Sequence, residues 1–223
     1  MKFKAVIFDM DGVLVDTERY YLQRREEFFG SHDISIAHLT PSDFIGGNMR
    51  EIWPRILGEK FNPREAVQLQ KEYEYYKATH PMPYADLLYP DVTEILDYLK
   101  EQQTKIALAS SSSMNDIQQV LSIHRLQPYF EVVLSGNDLK ETKPNPEIYL
   151  SAMQKLQVKA TDSLVIEDSE KGISAGKAAG ATVWAIKDYR FGMNQEKADQ
   201  FVDSLTSAKN LLTTDGKITK PLN

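Results

Sequence analysis

Five short apolar runs recur along the chain: KAVIF near residues 2–8, KIALAS at 105–110, EVVLS at 131–135, SLVIED at 163–168 and TVWAIK at 182–187. Each is β-rich and continuous rather than alternating. A strand apolar on both sides needs cover on both faces, and a parallel sheet between two helical layers gives it. Helical patterns fill the gaps. In DVTEILDYLKEQ, Val92, Ile95, Leu96 and Leu99 make a stripe at i, i+3, i+4 and i+7, with Asp91 and Thr93 where an N-cap belongs. Ile117, Val120 and Leu121 repeat the pattern, as do Ile148, Met153 and Leu156 behind Pro146. Alternating strands and helices predict an α/β fold with a doubly wound parallel sheet.

One segment breaks the rhythm. Between Asp16 and about Tyr84 no convincing strand occurs; TERYYLQRREEFFG, NMREIWPRIL and PREAVQLQKEYEYYKATH read as polar, aromatic helices, and HPMPY marks a linker. The expected division is an α/β core of residues 1–15 and 86–223 with an inserted α-helical cap domain over 16–85. An insertion after the first strand overhangs the carboxyl ends of the strands, where open α/β sheets bind ligands. The tail after about Asn210 is expected to be loose.

The net charge of −6, with no basic cluster, argues against a nucleic-acid backbone as partner. No apolar run approaches the roughly 20 residues of a membrane span. The N-terminal run is broken by carboxylates and reads as a first strand, so no export is implied. There is no cysteine, hence no disulfide or thiolate metal site. The expected compartment is the cytoplasm. The four histidines, His32, His38, His80 and His124, lack metal-ligand spacing and receive no role.

Four strand ends carry the polar chemistry. KAVIF runs into Asp9 and Asp11, which point the same way in extended chain, and Gly12 allows a sharp turn. SLVI runs into Glu167 and Asp168, followed by a stretch made small by Gly172, Gly176, Ala178, Ala179 and Gly180. Lys143 precedes Pro144 in ETKPNPEIY, and Ser110 and Ser111 follow the KIALA run. Each motif read alone has a plainer meaning: solvated strand-end acids, acids drawn to a helix N-terminus, a surface lysine, a serine-rich loop. Together they offer acids that need a cation, and oxygen ligands without histidine or cysteine suit a hard ion such as Mg²⁺. The hydroxyl and N–H groups after Ser110 suit a phosphoryl group.

The set DxDGVLxDTE, serine after an apolar strand, KPxP, then EDSxxGIxA resembles the haloacid dehalogenase superfamily, in its branch with a helical cap. That branch holds β-phosphoglucomutases and many sugar-phosphate phosphatases. The resemblance covers almost the whole chain. It implies Asp9 as nucleophile, forming an aspartyl-phosphate, and Asp11 as general acid and then base. It implies Mg²⁺ held by Asp9, the backbone carbonyl of Asp11, and Asp168, with Glu167 close by. It also implies Ser110, Ser111 and Lys143 as phosphate-binding residues and a monomeric protein. The acid at Asp11 sets the chain apart from true dehalogenases, which lack one there.

The resembling mutases carry a histidine in register with Tyr21 and a lysine in register with Gly46. This chain has neither. The expected activity is therefore Mg²⁺-dependent hydrolysis of a small phosphate ester, with a sugar phosphate as substrate class. β-Phosphoglucomutase is the alternative. A non-catalytic sugar-phosphate binder is a third reading, against which the presence of both Asp9 and Asp11 stands. Arg50, Asn48 and Tyr21 are candidate substrate contacts from the cap, and Asp16 and Thr17 mark its hinge, with the return near Met82–Asp86.

Overall fold

The five apolar runs become strands buried on both sides. The computed structural model describes residues 2–47 and 49–214. β1 (Ala5–Phe8), β2 (Lys105–Ser110), β3 (Val132–Ser135), β4 (Ser163–Glu167), β5 (Thr182–Ile186) and β6 (Gln200–Val202) form one sheet in the order β3-β2-β1-β4-β5-β6. Every pairing is parallel. Along β1, Val6 and Phe8 enter one apolar core and Ala5 and Ile7 the other. The two-residue period thus explains why the run is apolar at every position.

Between β1 and β2 come α1 (Glu18–Ser31), α2 (Pro41–Phe44), α3 (Met49–Leu57), α4 (Pro63–Thr79) and α5 (Val92–Glu101). The later helices are α6 (Met114–Ile123), α7 (Glu147–Leu156), α8 (Glu170–Ala178) and α9 (Leu205–Thr213). α5, α6 and α9 bury their apolar stripes on one face of the sheet, and α7 and α8 on the other. α1 to α4 enclose a cluster of their own, built on Phe28, Phe29, Trp53, Leu69 and Tyr73. The chain leaves for these helices and returns from them at adjacent points: the Asp16 N–H donates to Leu87 O at 2.8 Å and the Tyr89 N–H to Leu14 O at 3.0 Å.

Three details depart from the sequence reading. β6 is a sixth strand; it has three residues and only Val202 is buried, so it carries no apolar run to read. α9 continues past Asn210 to Thr213 because Leu205, Ala208 and Leu212 are buried in the core. Asp91 stands at the N-cap of α5 but makes no side-chain cap there. Its Oδ2 instead accepts the Thr206 N–H at 2.8 Å, at the start of α9.

Candidate active site

β1 lies between β2 and β4, and its successors in the chain go to both sides. That reversal opens a crevice at the strand ends. Asp9 follows β1 directly, anchored by its N–H donating to Ile166 O at 3.0 Å. Gly12 turns the chain with φ of 78°, and a Cβ there would collide with the Asp168 carboxylate. The acids of the first and fourth strands therefore face one another.

Lys143 arrives from the loop after β3 and is buried. Its Nζ donates to Asp9 Oδ1 at 2.5 Å, Glu167 Oε1 at 2.7 Å and Ala109 O at 3.0 Å. An ammonium has three protons, and all three are committed. Glu167 is equally engaged. Its Oε1 also accepts from the Tyr149 hydroxyl at 2.8 Å. Its Oε2 accepts from Asp168 N, Ser169 N and Ser169 Oγ, each at 3.0 Å. Five donors occupy the four lone-pair positions of one carboxylate. A Cβ at Gly172 would collide with Glu167 Oε1, which explains the small start of α8.

Asp11 is held from two sides. Thr17 Oγ1 donates to its Oδ1 at 2.5 Å and Ser112 Oγ to its Oδ2 at 2.6 Å. The Tyr21 hydroxyl lies 3.4 Å from Ser112 Oγ. These groups open on a cavity of about 110 Å³ between the strand ends and α1. Contacts reach across it from the helical insertion: Ser111 Oγ donates to Gly46 O at 3.1 Å, and Lys171 Nζ to Asp43 O at 2.8 Å.

The charges are arranged unevenly. Burial pushes the Asp9 carboxyl well above the usual range; the Lys143 ammonium opposes the rise, and Glu167 and Asp11 add to it. Asp168 is raised well above its ordinary value too, by burial and then by Glu167 and Asp9. Burial likewise raises Asp11 against the hydrogen bonds from Ser112 and Thr17. Burial also acts to raise Glu167, but Lys143 and the surrounding donors outweigh it and hold that carboxyl below the usual range. For Lys143, Asp9 and Glu167 overcome burial and keep it protonated. Asp9, Glu167 and Asp168 each offer an oxygen within 4.8 Å of the others. One lysine does not balance these acids, and a hard cation among the oxygens would lower the raised carboxyls. The donor set fits such an ion, with the saturated Glu167 as its least available member.

The sequence pattern of the haloacid dehalogenase-like hydrolases matches residues 6–186. The chain belongs to that family. A phosphorylated carbohydrates phosphatase of Thermotoga maritima is 33% identical to this haloacid dehalogenase-like hydrolase, over 79% of this chain and 82% of that one. A beta-phosphoglucomutase of Bacillus subtilis is also 33% identical, over 79% and 80%. The crystal structure of a beta-phosphoglucomutase from Clostridium difficile superposes with a TM-score of 0.82 at 26% identity, over 96% of each chain.

In this hydrolase the expected residues fall into distinct places. Asp9, Lys143, Glu167 and Asp168 converge, and Asp11 stands beside them. Ser111 and Ser112 line the cavity. Ser110 is fully buried, and its Oγ accepts the Ser112 N–H at 3.0 Å, so it shapes the loop. Thr17 holds Asp11 in addition to its place at the crossing, while Asp16 pairs with Arg190 Nη1 at 2.7 Å. Tyr21 lines the cavity. Asn48 lies outside the described residues, as does the side chain of Arg50. Sequence reasoning missed Ser112, Glu18 and Arg25, all on the cavity wall. A helical signal existed for the last two: positions 18, 21 and 25 share one face at i, i+3 and i+7. Among the described residues no helix is long and apolar enough to cross a membrane.

Proposed function

We propose that this chain is a Mg²⁺-dependent phosphatase acting on a small phosphorylated metabolite, with a sugar phosphate as substrate class. The observation that carries this reading is the strand-end cluster: Asp9 at 2.5 Å from Lys143, with oxygens of Glu167 and Asp168 beside it. An Asp9 oxygen attacks phosphorus, and the ester oxygen departs with a proton from Asp11. The product is an aspartyl-phosphate on Asp9 and a free alcohol. Asp11, now ionised, takes a proton from a water that attacks the phosphorus, and inorganic phosphate leaves. Asp9, the backbone carbonyl of Asp11, and Asp168 would hold Mg²⁺. The bound ion would neutralise charge on the transferring oxygens. Ser111, Ser112 and the N–H groups of their loop face the phosphoryl group, and Lys143 aims Asp9 and opposes the rise that burial imposes on its carboxyl.

Hydrolysis is favoured over transfer to a second sugar hydroxyl by the lining itself. Gly46 has φ of 71°, and a Cβ there would collide with Ser169 Oγ, so the position has no room for the lysine of the mutases. Tyr21 stands where they carry histidine, with its hydroxyl on Ser112.

The test is a panel of sugar phosphates with Mg²⁺, following both free phosphate and isomer products. Free phosphate is the expected product. Conversion of β-glucose 1-phosphate to glucose 6-phosphate without phosphate release would establish the mutase instead. Asp9→Asn is expected to lower turnover by about 10⁵-fold or more, with an unchanged circular dichroism spectrum. Full activity in that variant overturns the nucleophile assignment.

A further inference from the structure

Among the described residues, two buried side-chain atoms have no hydrogen-bond partner: Glu18 Oε2 and Arg25 Nε. Both belong to α1, and both residues line the cavity over Asp9. They are 5% and 6% exposed. They do not satisfy each other, since Arg25 Nη2 stays 3.9 Å from Glu18 Oε2, too far for a hydrogen bond. Nor is Arg25 loose. Its guanidinium carbon lies 4.7 Å from the Phe44 ring centroid and 5.9 Å from that of Tyr21, so aromatic faces fix it on the wall.

A buried orphan is costly, and the cost is relieved when a ligand supplies the missing partner. Here the orphans are one acceptor and one donor, on two side chains whose Nη2 and Oε2 stand 3.9 Å apart. The group complementary to both is one that donates and accepts through the same atom. A hydroxyl does so. A phosphate only accepts; it matches Arg25 alone and is repelled by Glu18. Carboxylates also outnumber cationic groups along the described lining, which disfavours a second phosphate.

Building on the phosphatase reading, we propose that Glu18 and Arg25 form a polyol subsite, in which a free hydroxyl on the substrate's carbon skeleton donates to Glu18 Oε2 and accepts from Arg25 Nε. The enzyme is thereby directed to phosphomonoesters of hydroxylated chains. The core supplies the chemistry, and α1 reads the part of the substrate that does not react.

The experiment compares kcat/KM for sorbitol 6-phosphate and hexyl phosphate, two monoesters of equal chain length that differ in their hydroxyls. The unmodified protein is expected to favour sorbitol 6-phosphate by about 100-fold, the range of a charge-assisted hydrogen bond made only with the right ligand. Glu18→Leu and Arg25→Leu should each pull that ratio down by about 10-fold or more, while Glu18→Gln, which keeps an acceptor but not its charge, should retain more of it than Glu18→Leu. Equal kcat/KM for the two esters in the unmodified protein overturns the subsite and leaves the phosphatase reading standing. So does a loss in the leucine variants that is the same for both esters. No phosphate from either ester overturns the phosphatase reading and the subsite with it. The comparison in the unmodified protein holds even where a variant does not fold.

Discussion

At the strand ends Lys143 gives its three protons to Asp9, Glu167 and Ala109, and Glu167 takes five donors; across the same cavity, Glu18 and Arg25 leave an oxygen and a nitrogen without a hydrogen bond. On the first wall Lys143 and Glu167 are fully hydrogen-bonded by the protein itself, and what the wall still calls for is a cation among its acids. Its groups are held at fixed distances, which is what stabilising a developing charge requires, because nothing must reorganise during the reaction. The second wall is incomplete by one acceptor and one donor. Recognition resides there, since only the correct ligand brings what is missing. Stability should follow the same division: the cradle supports the fold, whereas the α1 wall weighs against it until a ligand binds.

The largest test of this contrast removes the cradle's cation. Lys143→Met leaves Asp9 and Glu167 buried and facing each other. Urea denaturation should show a loss of about 3 kcal/mol or more, and turnover should drop by about 1,000-fold. A variant as stable as the parent would mean that the lysine does not hold the acids together.

Next comes Glu18, whose carboxyl is pushed from 4.5 up to about 7 by burial, against the pull of Arg25 and with the push of Asp11. Arg190 also lowers it and Asp16 raises it, more weakly. The sign is fixed by proton binding. Between pH 4.5 and about 7 the folded chain holds a proton that the unfolded chain has released, so stability falls as pH rises through this window. Below it Glu18 costs nothing, and above it the whole penalty is present. Glu18→Gln removes the penalty. Its stability gain over the parent should be near zero at the acid end and grow to about 3 kcal/mol at pH 8. A gain that does not change with pH would show that the α1 wall carries no such penalty.

The smallest effect belongs to the joint between the two regions. Arg190 and Asp16 pair at 2.7 Å, but their side chains are 46% and 40% exposed. Arg190→Ala should cost about 0.5 kcal/mol, and less in high salt. A loss of several times that size would reveal a stress on the joint that an exposed ion pair does not account for.

The cradle was legible in the sequence because its logic is local and repeated. An apolar run ending in acids can be read without knowing what packs where, and Asp9, Asp11, Glu167 and Asp168 all announce themselves that way. Lys143 needed its motif, since a lone lysine reads as solvated. The α1 wall was harder to read for the opposite reason: positions 18, 21 and 25 share a helical face, but what covers that face is remote in sequence. RREEFF looks like a charged surface, and nothing within it says that Arg25 is covered by Phe44 while its neighbour Glu26 is exposed. Ser110 and Ser112 illustrate a finer limit: the serine run was visible, but which hydroxyl turns inward to the loop and which reaches Asp11 depends on backbone direction. Asp91 shows the same at a helix end, where the expected capping residue serves α9 rather than its own helix.

The two chain crossings beside Asp16 and Leu87 have a consequence for how such proteins diversify. A segment whose ends meet can be cut out and replaced by one of different length at little loop-closure cost, with the strand pairings of the sheet unchanged. The α1–α4 unit is in that sense a cartridge. Transplanting another one into this seam should alter which esters are taken up while the reacting acids stay where β1 and β4 put them.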